Sequence, residues 1–252
     1  MQSLKYTDNY TDTHTVFNQI LEIVNKLYKK YVPAKIKNRK NVDKLVQPDT
    51  VIIACILWGF MLGYTSQRAT YRAVRTILSF TEFPSRTRYI RLCASLTHAI
   101  KIIRFFFVKQ KTKNVMTAIV DSFPSPFCKK IRNQRAKVLR SIAEIGYNST
   151  KKVYYYGVKI NVAVTETGFP VAYVVSSPRI HDVQLLETLA NEASVSHILG
   201  DKGYISSSIQ ERIAQKGVTV TTPLRKNMKN ADKINDILLS KRRKKIETVF
   251  SS

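Results

Sequence analysis

Acidic residues are scarce in this chain. Seventeen Asp and Glu stand against 42 Lys and Arg, a formal net charge of +25 over 252 residues. The imbalance is not a single basic tail. Residues 1–116 carry 20 basic and 6 acidic side chains, and residues 117–252 carry 22 and 11. A field of that sign across both halves favours a nucleic-acid partner through counterion release and steering; a ribosomal-type basic protein is the bland alternative. Cysteine is also rare. Cys55, Cys93 and Cys128 are far apart and form no Cys-x-x-Cys pair, which argues against a zinc ribbon. Buried reduced thiols in a cytosol are the expectation. Long apolar runs are absent: the longest, residues 51–63, is too short to cross a membrane, and residues 1–15 are too polar for a signal peptide. A cytoplasmic protein without a membrane partner is expected, nucleoid-associated when bound to DNA. Gly and Pro number only 8 each, so no long flexible linker is visible.

What is present divides near residue 116. Val16, Phe17, Ile20, Leu21, Val24, Leu27 and Tyr28 recur at helical spacing. Asp49 or Thr50 can cap a second helix, Ser66 a third, and Ser85 a fourth that continues through Leu96 to Ile103. The run from Lys35 to Lys40 reads as a solvated connection that either touches phosphate or has no role. Trp58 reads as core. Residues 1–115 are therefore expected to be all-helical and to form a DNA-binding region.

Residues 116–252 read differently. Residues 117–123 look like a buried strand. Residues 125–150 look like a long basic insert with weak helical character. VYYYGVKINVAV, residues 153–164, and residues 171–176 read as strands around a turn. In Tyr154–Tyr156 core and surface roles are both open. Helices follow at 182–191 and 205–215, strands at 197–200 and 218–221, and a last helix opens at 229–232. Three strands and then alternating helices and strands predict an α/β fold. It is a ribonuclease H-like mixed sheet preceded by an all-α N-terminal region.

On that order three acids fall where sites form in open sheets. Asp121 ends the first strand, Asp201 ends the fourth, and Glu247 lies on the final helix. Carboxylates at such positions in a cationic protein suit two hard divalent ions about 4 Å apart, held against a polyanion. Mg²⁺ is the expected ion, with Mn²⁺ as an alternative. Each acid also has a structural reading. Asp121 and Asp201 can serve turns, and Glu247 can pair with Arg243 one helical turn earlier. Asp182 beside His181 is a rival ligand, although capping the helix it begins is favoured, with its carboxylate on the N–H of Gln184 or Leu185. The basic run Lys241–Lys245 is either a solvated face or a phosphate contact.

Several of these segments resemble a known group. Val120-Asp-Ser-Phe-Pro124, Tyr155-Tyr-Gly-Val-Lys159, Gly200-Asp-Lys-Gly-Tyr204 and Pro223-Leu-Arg-Lys-Asn227 are similar to DDE-type bacterial insertion-sequence transposases, in particular the insertion sequence 982 family. Lys37-Asn-Arg-Lys40 and Ser66-Gln-Arg68 extend the resemblance over nearly the whole chain. The Asp-Lys-Gly-Tyr block is its most specific part.

The resemblance implies Asp121, Asp201 and Glu247 as the metal-binding triad, with Lys202, Arg225, Lys226 and Arg243 as DNA contacts. It implies strand cleavage at element ends by water, then attack of the 3′-hydroxyl on target DNA. The N-terminal helices would bind element ends through a helix-turn-helix-like unit, in a homo-oligomer on DNA. Arg243 and Glu247 match part of the Tyr-x2-Arg-x3-Glu-x6-Lys signature. Ser240 takes its Tyr place, and its Lys falls beyond residue 252, so a domain truncated at its final helix is expected. A DNA-binding remnant without activity and a nuclease of the same fold remain as alternatives.

Overall fold

The computed structural model describes residues 10–148 and 151–224. The chain divides into two compact units, Met1–Lys111 and Thr112–Ser252. In the first, α1 (Tyr10–Tyr31), α3 (Asp49–Met61), α4 (Gln67–Ala73), α5 (Arg86–Ser95) and α6 (Thr97–Lys111) are the main helices, and α2 (Ala34–Lys37) is a single turn. Helix α3 is apolar on most sides and is therefore central. Ile52, Ile53, Ala54, Cys55 and Trp58 are fully buried there. Phe17, Val24 and Leu27 cover them from α1, at the spacing read from the sequence. The Trp58 indole N–H donates to the Thr13 carbonyl at 3.1 Å. Among the described residues no helix is long and apolar enough to cross a membrane.

Ser66 and Ser85 cap α4 and α5 as expected, accepting from the backbone N–H of Ala69 and Arg88. Three expectations fail. The fourth helix breaks at Leu96. Ser95 Oγ donates to the Leu92 carbonyl and Thr97 Oγ1 to that of Ala94, offering the backbone local partners that end a helix. Asp49 caps nothing with its side chain. Its buried carboxylate pairs with both terminal nitrogens of Arg39 and accepts from the Tyr28 hydroxyl at 2.7 Å. The basic run 35–40 is thus no uniformly solvated connection, because Arg39 turns inward. Burial, then the bond to Asp49, pushes the Tyr28 hydroxyl above its ordinary pKa. Cys55 and Cys93 are buried and free, and burial raises both thiols; Cys128 is only half-buried.

The second unit opens with β1 (Thr117–Lys129), followed by β2 (Glu144–Asn148), β3 (Val153–Thr165) and β4 (Pro170–Ser176). Then come α7 (Asp182–Ala193), β5 (His197–Leu199), α8 (Ser207–Ala214) and β6 (Thr219–Thr221). β3 lies antiparallel to β1 on one side and to β2 and β4 on the other. β1 pairs parallel with β5, and β5 with β6. The order β4-β3-β1-β5-β6, with β2 as an addition, is the ribonuclease H-like mixed sheet. The expected basic insert is corrected in part: its weak helical character is met by a short 3-10 helix at Lys130–Arg135, but strands flank it. β1 runs on through Pro124 and Pro126, and β2 adds a strand inside the segment. Proline is tolerated there because β5 covers β1 only at residues 117–119, leaving an edge. Gly157 faces that stretch. A Cβ on it would meet the Ser125 carbonyl oxygen at 2.2 Å, so the close approach of β3 to β1 requires glycine. Tyr155 and Tyr156 are buried, whereas Tyr154 is exposed with Lys130 over its ring at 4.9 Å.

A lost helix cap costs about 1 kcal/mol, whereas removing one partner of a buried ion pair costs about 3–5 kcal/mol. Arg39 keeps some solvent contact, so Asp49→Ala is expected to destabilise by about 2–4 kcal/mol in urea denaturation. A loss under about 1 kcal/mol would reduce Asp49 to a helix-start residue.

Candidate active site

The site follows from strand register. In the parallel pair β1–β5, Ile119 lies opposite Leu199. Side chains alternate along a strand, so two residues further on each chain repeats the same face. That step reaches Asp121 on β1 and Asp201 just past β5. Ile119 and Leu199 are fully buried against Val164 on this face, which fixes the register. Both acids are half-buried. Asp121 Oδ1 accepts from the Ser122 N–H at 2.7 Å, and Asp201 Oδ1 from the Gly203 N–H at 2.7 Å. Asp201 thereby caps the turn Lys202–Tyr204 as well as standing at the strand end. Each carboxylate is held by a backbone donor close to it in sequence.

Tyr204 ends the turn that Asp201 caps. It is fully buried, and its hydroxyl has no hydrogen-bond partner among the described residues. Its ring lies against Gly200, where a Cβ would meet Tyr204 Cβ at 2.9 Å. Burial pushes the hydroxyl pKa up, and the negative fields of Asp182, Asp121 and Asp201 push it further. Three carboxylates therefore act on one buried hydroxyl.

Asp182 corrects the capping expectation. It is the first residue of α7 and makes no cap; the His181 carbonyl instead accepts from the Gln184 N–H at 3.0 Å. Asp182 Oδ2 accepts from Ser122 Oγ at 3.0 Å, and Oδ1 forms an ion pair with Lys159 Nζ at 2.6 Å. Lys159 also donates to the Ile180 carbonyl at 2.6 Å. Ser122 and Lys159 occupy the strand face opposite to Asp121, as their pairing partners Asn161 and Pro124 require. Asp182 therefore bridges α7 to the back of the sheet. The sequence signal was the parity of residues 122, 159 and 161, legible only once strand pairing is known.

Lys202 is exposed beside Asp201. Glu247, Arg225, Lys226 and Arg243 lie outside the described residues. Among the described residues, no group of three or more His, Cys, Asp or Glu is placed to hold a metal ion.

Residues 111–252 match the family model described as "Transposase DDE domain". The chain belongs to the transposase DDE domain family. No curated protein matches it. Among solved structures it is similar to the piggyBac transposase synaptic complex with hairpin DNA, at 12% identity and a TM-score of 0.35. That match covers 91% of this chain and 54% of the other, so this chain spans about half the length of that transposase.

In this DDE domain Lys159 and Asp182 are expected to be energetically coupled. A double-mutant cycle of Lys159→Met and Asp182→Asn in denaturant should give about 1–3 kcal/mol of coupling. Additive losses would mean that the ion pair contributes nothing beyond its separate contacts.

Proposed function

We propose that this chain is a DNA transposase of the bacterial insertion-sequence type, similar to the insertion sequence 982 family. On this reading it cuts element ends and joins them to target DNA. The observation that carries the reading is the register-matched pair Asp121, within β1 just beyond its pairing with β5, and Asp201, just past the end of β5, in a chain of net charge +25. DDE transposase domains use divalent metal ions. The donor set here is all oxygen, which fits Mg²⁺ or Mn²⁺ and disfavours softer ions. Asp121 and Asp201 would hold the metal, with Glu247 as the third acid. When bound, the ions supply an activated oxygen nucleophile and charge neutralisation at the leaving oxygen.

The chain's own residues do the rest. The N–H groups of Ser122 and Gly203 orient the two carboxylates before any ligand arrives. Preorganised charge of this kind needs no rearrangement at the moment of reaction. Asp182, neutralised by Lys159, is a positioning residue: its bond to Ser122 Oγ holds the residue next to Asp121. On this reading Lys202, exposed beside Asp201, is assigned a phosphate contact. Arg225, Lys226 and Arg243 are assigned the same role.

The test is Mg²⁺-dependent cleavage and joining of an element-end duplex. Asp121→Asn and Asp201→Asn should each reduce both reactions to background while retaining DNA binding, because neither carboxylate attracts a polyanion. Binding should weaken steeply with salt, as expected for many phosphate contacts. Cleavage without joining would favour a nuclease. DNA binding with no metal-dependent chemistry would favour a DNA-binding remnant.

A further inference from the structure

The helical unit carries a second concentration of charge. A concave notch of about 260 Å³ opens between the connection after α2 and the exposed face of α5. Arg39, Lys40 and Asn41 line one wall, and Arg88, Arg91 and Ser95 the other. No described acidic residue lines it. Arg39 is already occupied by the buried Asp49, which pins the connection against the helices. Asn41 follows in a left-handed conformation, φ 63°, and turns the chain. Lys40, Arg88 and Arg91 are exposed, and none of the three pairs with an acid among the described residues. Ser95 Oγ is used by the Leu92 carbonyl, so the Asn41 amide is the neutral donor on hand.

Three uncompensated cations facing one concavity repel each other, and an anion relieves that repulsion. Guanidinium forks match the geometry of phosphate oxygens. An open surface notch in a chain of net charge +25 suits the backbone of a polymer, where counterion release supplies the affinity. We propose that this notch seats adjacent backbone phosphates of duplex DNA, each met by one of Lys40, Arg88 and Arg91, with Asn41 beside them. The inference rests on the reading of the chain as a protein that acts on DNA. It gives the helical unit a defined contact, remote in sequence from the carboxylates.

The experiment measures binding of the full chain to a fluorescent random-sequence duplex across a salt series. Lys40→Gln, Arg88→Gln and Arg91→Gln are combined in one variant. Lys26→Gln, Lys29→Gln and Lys109→Gln, which remove equal charge from exposed positions outside the notch, form the control. Each phosphate contact contributes about 0.9 to the slope of log affinity against log salt. The notch variant should therefore lose about 2–3 from that slope, and the control less than about 1. Lys40→Arg, Arg88→Lys and Arg91→Lys together should keep the wild-type slope. If the triple variant does not fold, Arg91→Gln alone decides, by a slope loss of about 1 or none.

Equal losses in notch variant and control would overturn the inference in favour of a diffuse field. So would an unchanged slope in the notch variant. Inorganic phosphate at matched ionic strength should leave the wild-type curve in place; notch-dependent displacement by it would overturn the duplex as occupant. A wild-type chain that does not bind DNA would instead remove the functional reading itself.

Discussion

The parallel pairing of β1 with β5 is the constraint on which the site depends. Asp121 and Asp201 are 80 positions apart in sequence, and nothing local brings them together. The pairing Ile119↔Leu199 does so, because it sets both acids two steps further along the same face. A slip of one residue would turn one strand's side chains to the other face and separate the pair. The slip is resisted by apolar burial. Ile119, Leu199 and Val164 are fully buried together, and fully burying each such side chain is worth about 1.5–3 kcal/mol. An ordinary hydrophobic cluster thus fixes an arrangement of like charges that would otherwise repel.

The opposite face of the same strands supplies a different kind of support. Lys159 neutralises Asp182, and Asp182 holds Ser122, so α7 is tied to the strand that carries Asp121. Tyr204 lies beneath with an unpartnered hydroxyl in the field of three carboxylates. A buried hydroxyl left without a bond costs about 1–3 kcal/mol. The fold tolerates that cost at the point where negative charge gathers, which is where function and stability commonly conflict. Gly200 lets the ring pack there, since any larger residue would press on Tyr204 Cβ.

Much of this was legible in the sequence, for identifiable reasons. The strand at 153–165 and the helix α1 declared themselves by β-branched content and by helical spacing. Ser66 and Ser85 acted as caps because their hydroxyls reach the N–H three residues on. Asp121 and Asp201 stood out because each ends an apolar run. The break at Leu96 is local, made by Ser95 and Thr97; in the other misreadings tertiary partners overruled local preference. Asp49 and Asp182 both occupy helix-start positions that favour caps, yet Arg39 and Lys159 offered stronger, charged partners. β1 was expected to stop before Pro124, and it continues because its far edge has no neighbour to satisfy. The basic character of residues 125–150 concealed β2, whose pairing depends on β3 rather than on its own composition.

The central claim is that Asp121 and Asp201 bind the same divalent ions. Iron-directed cleavage of the polypeptide tests it most directly. Fe²⁺ replaces Mg²⁺, and ascorbate with peroxide generates radicals that cut the main chain beside the bound ion. The account expects cuts around both residue 121 and residue 201, suppressed by excess Mg²⁺ and lost together in either Asp121→Asn or Asp201→Asn. Cuts at only one of the two segments, or cuts at both that survive either substitution, would contradict it.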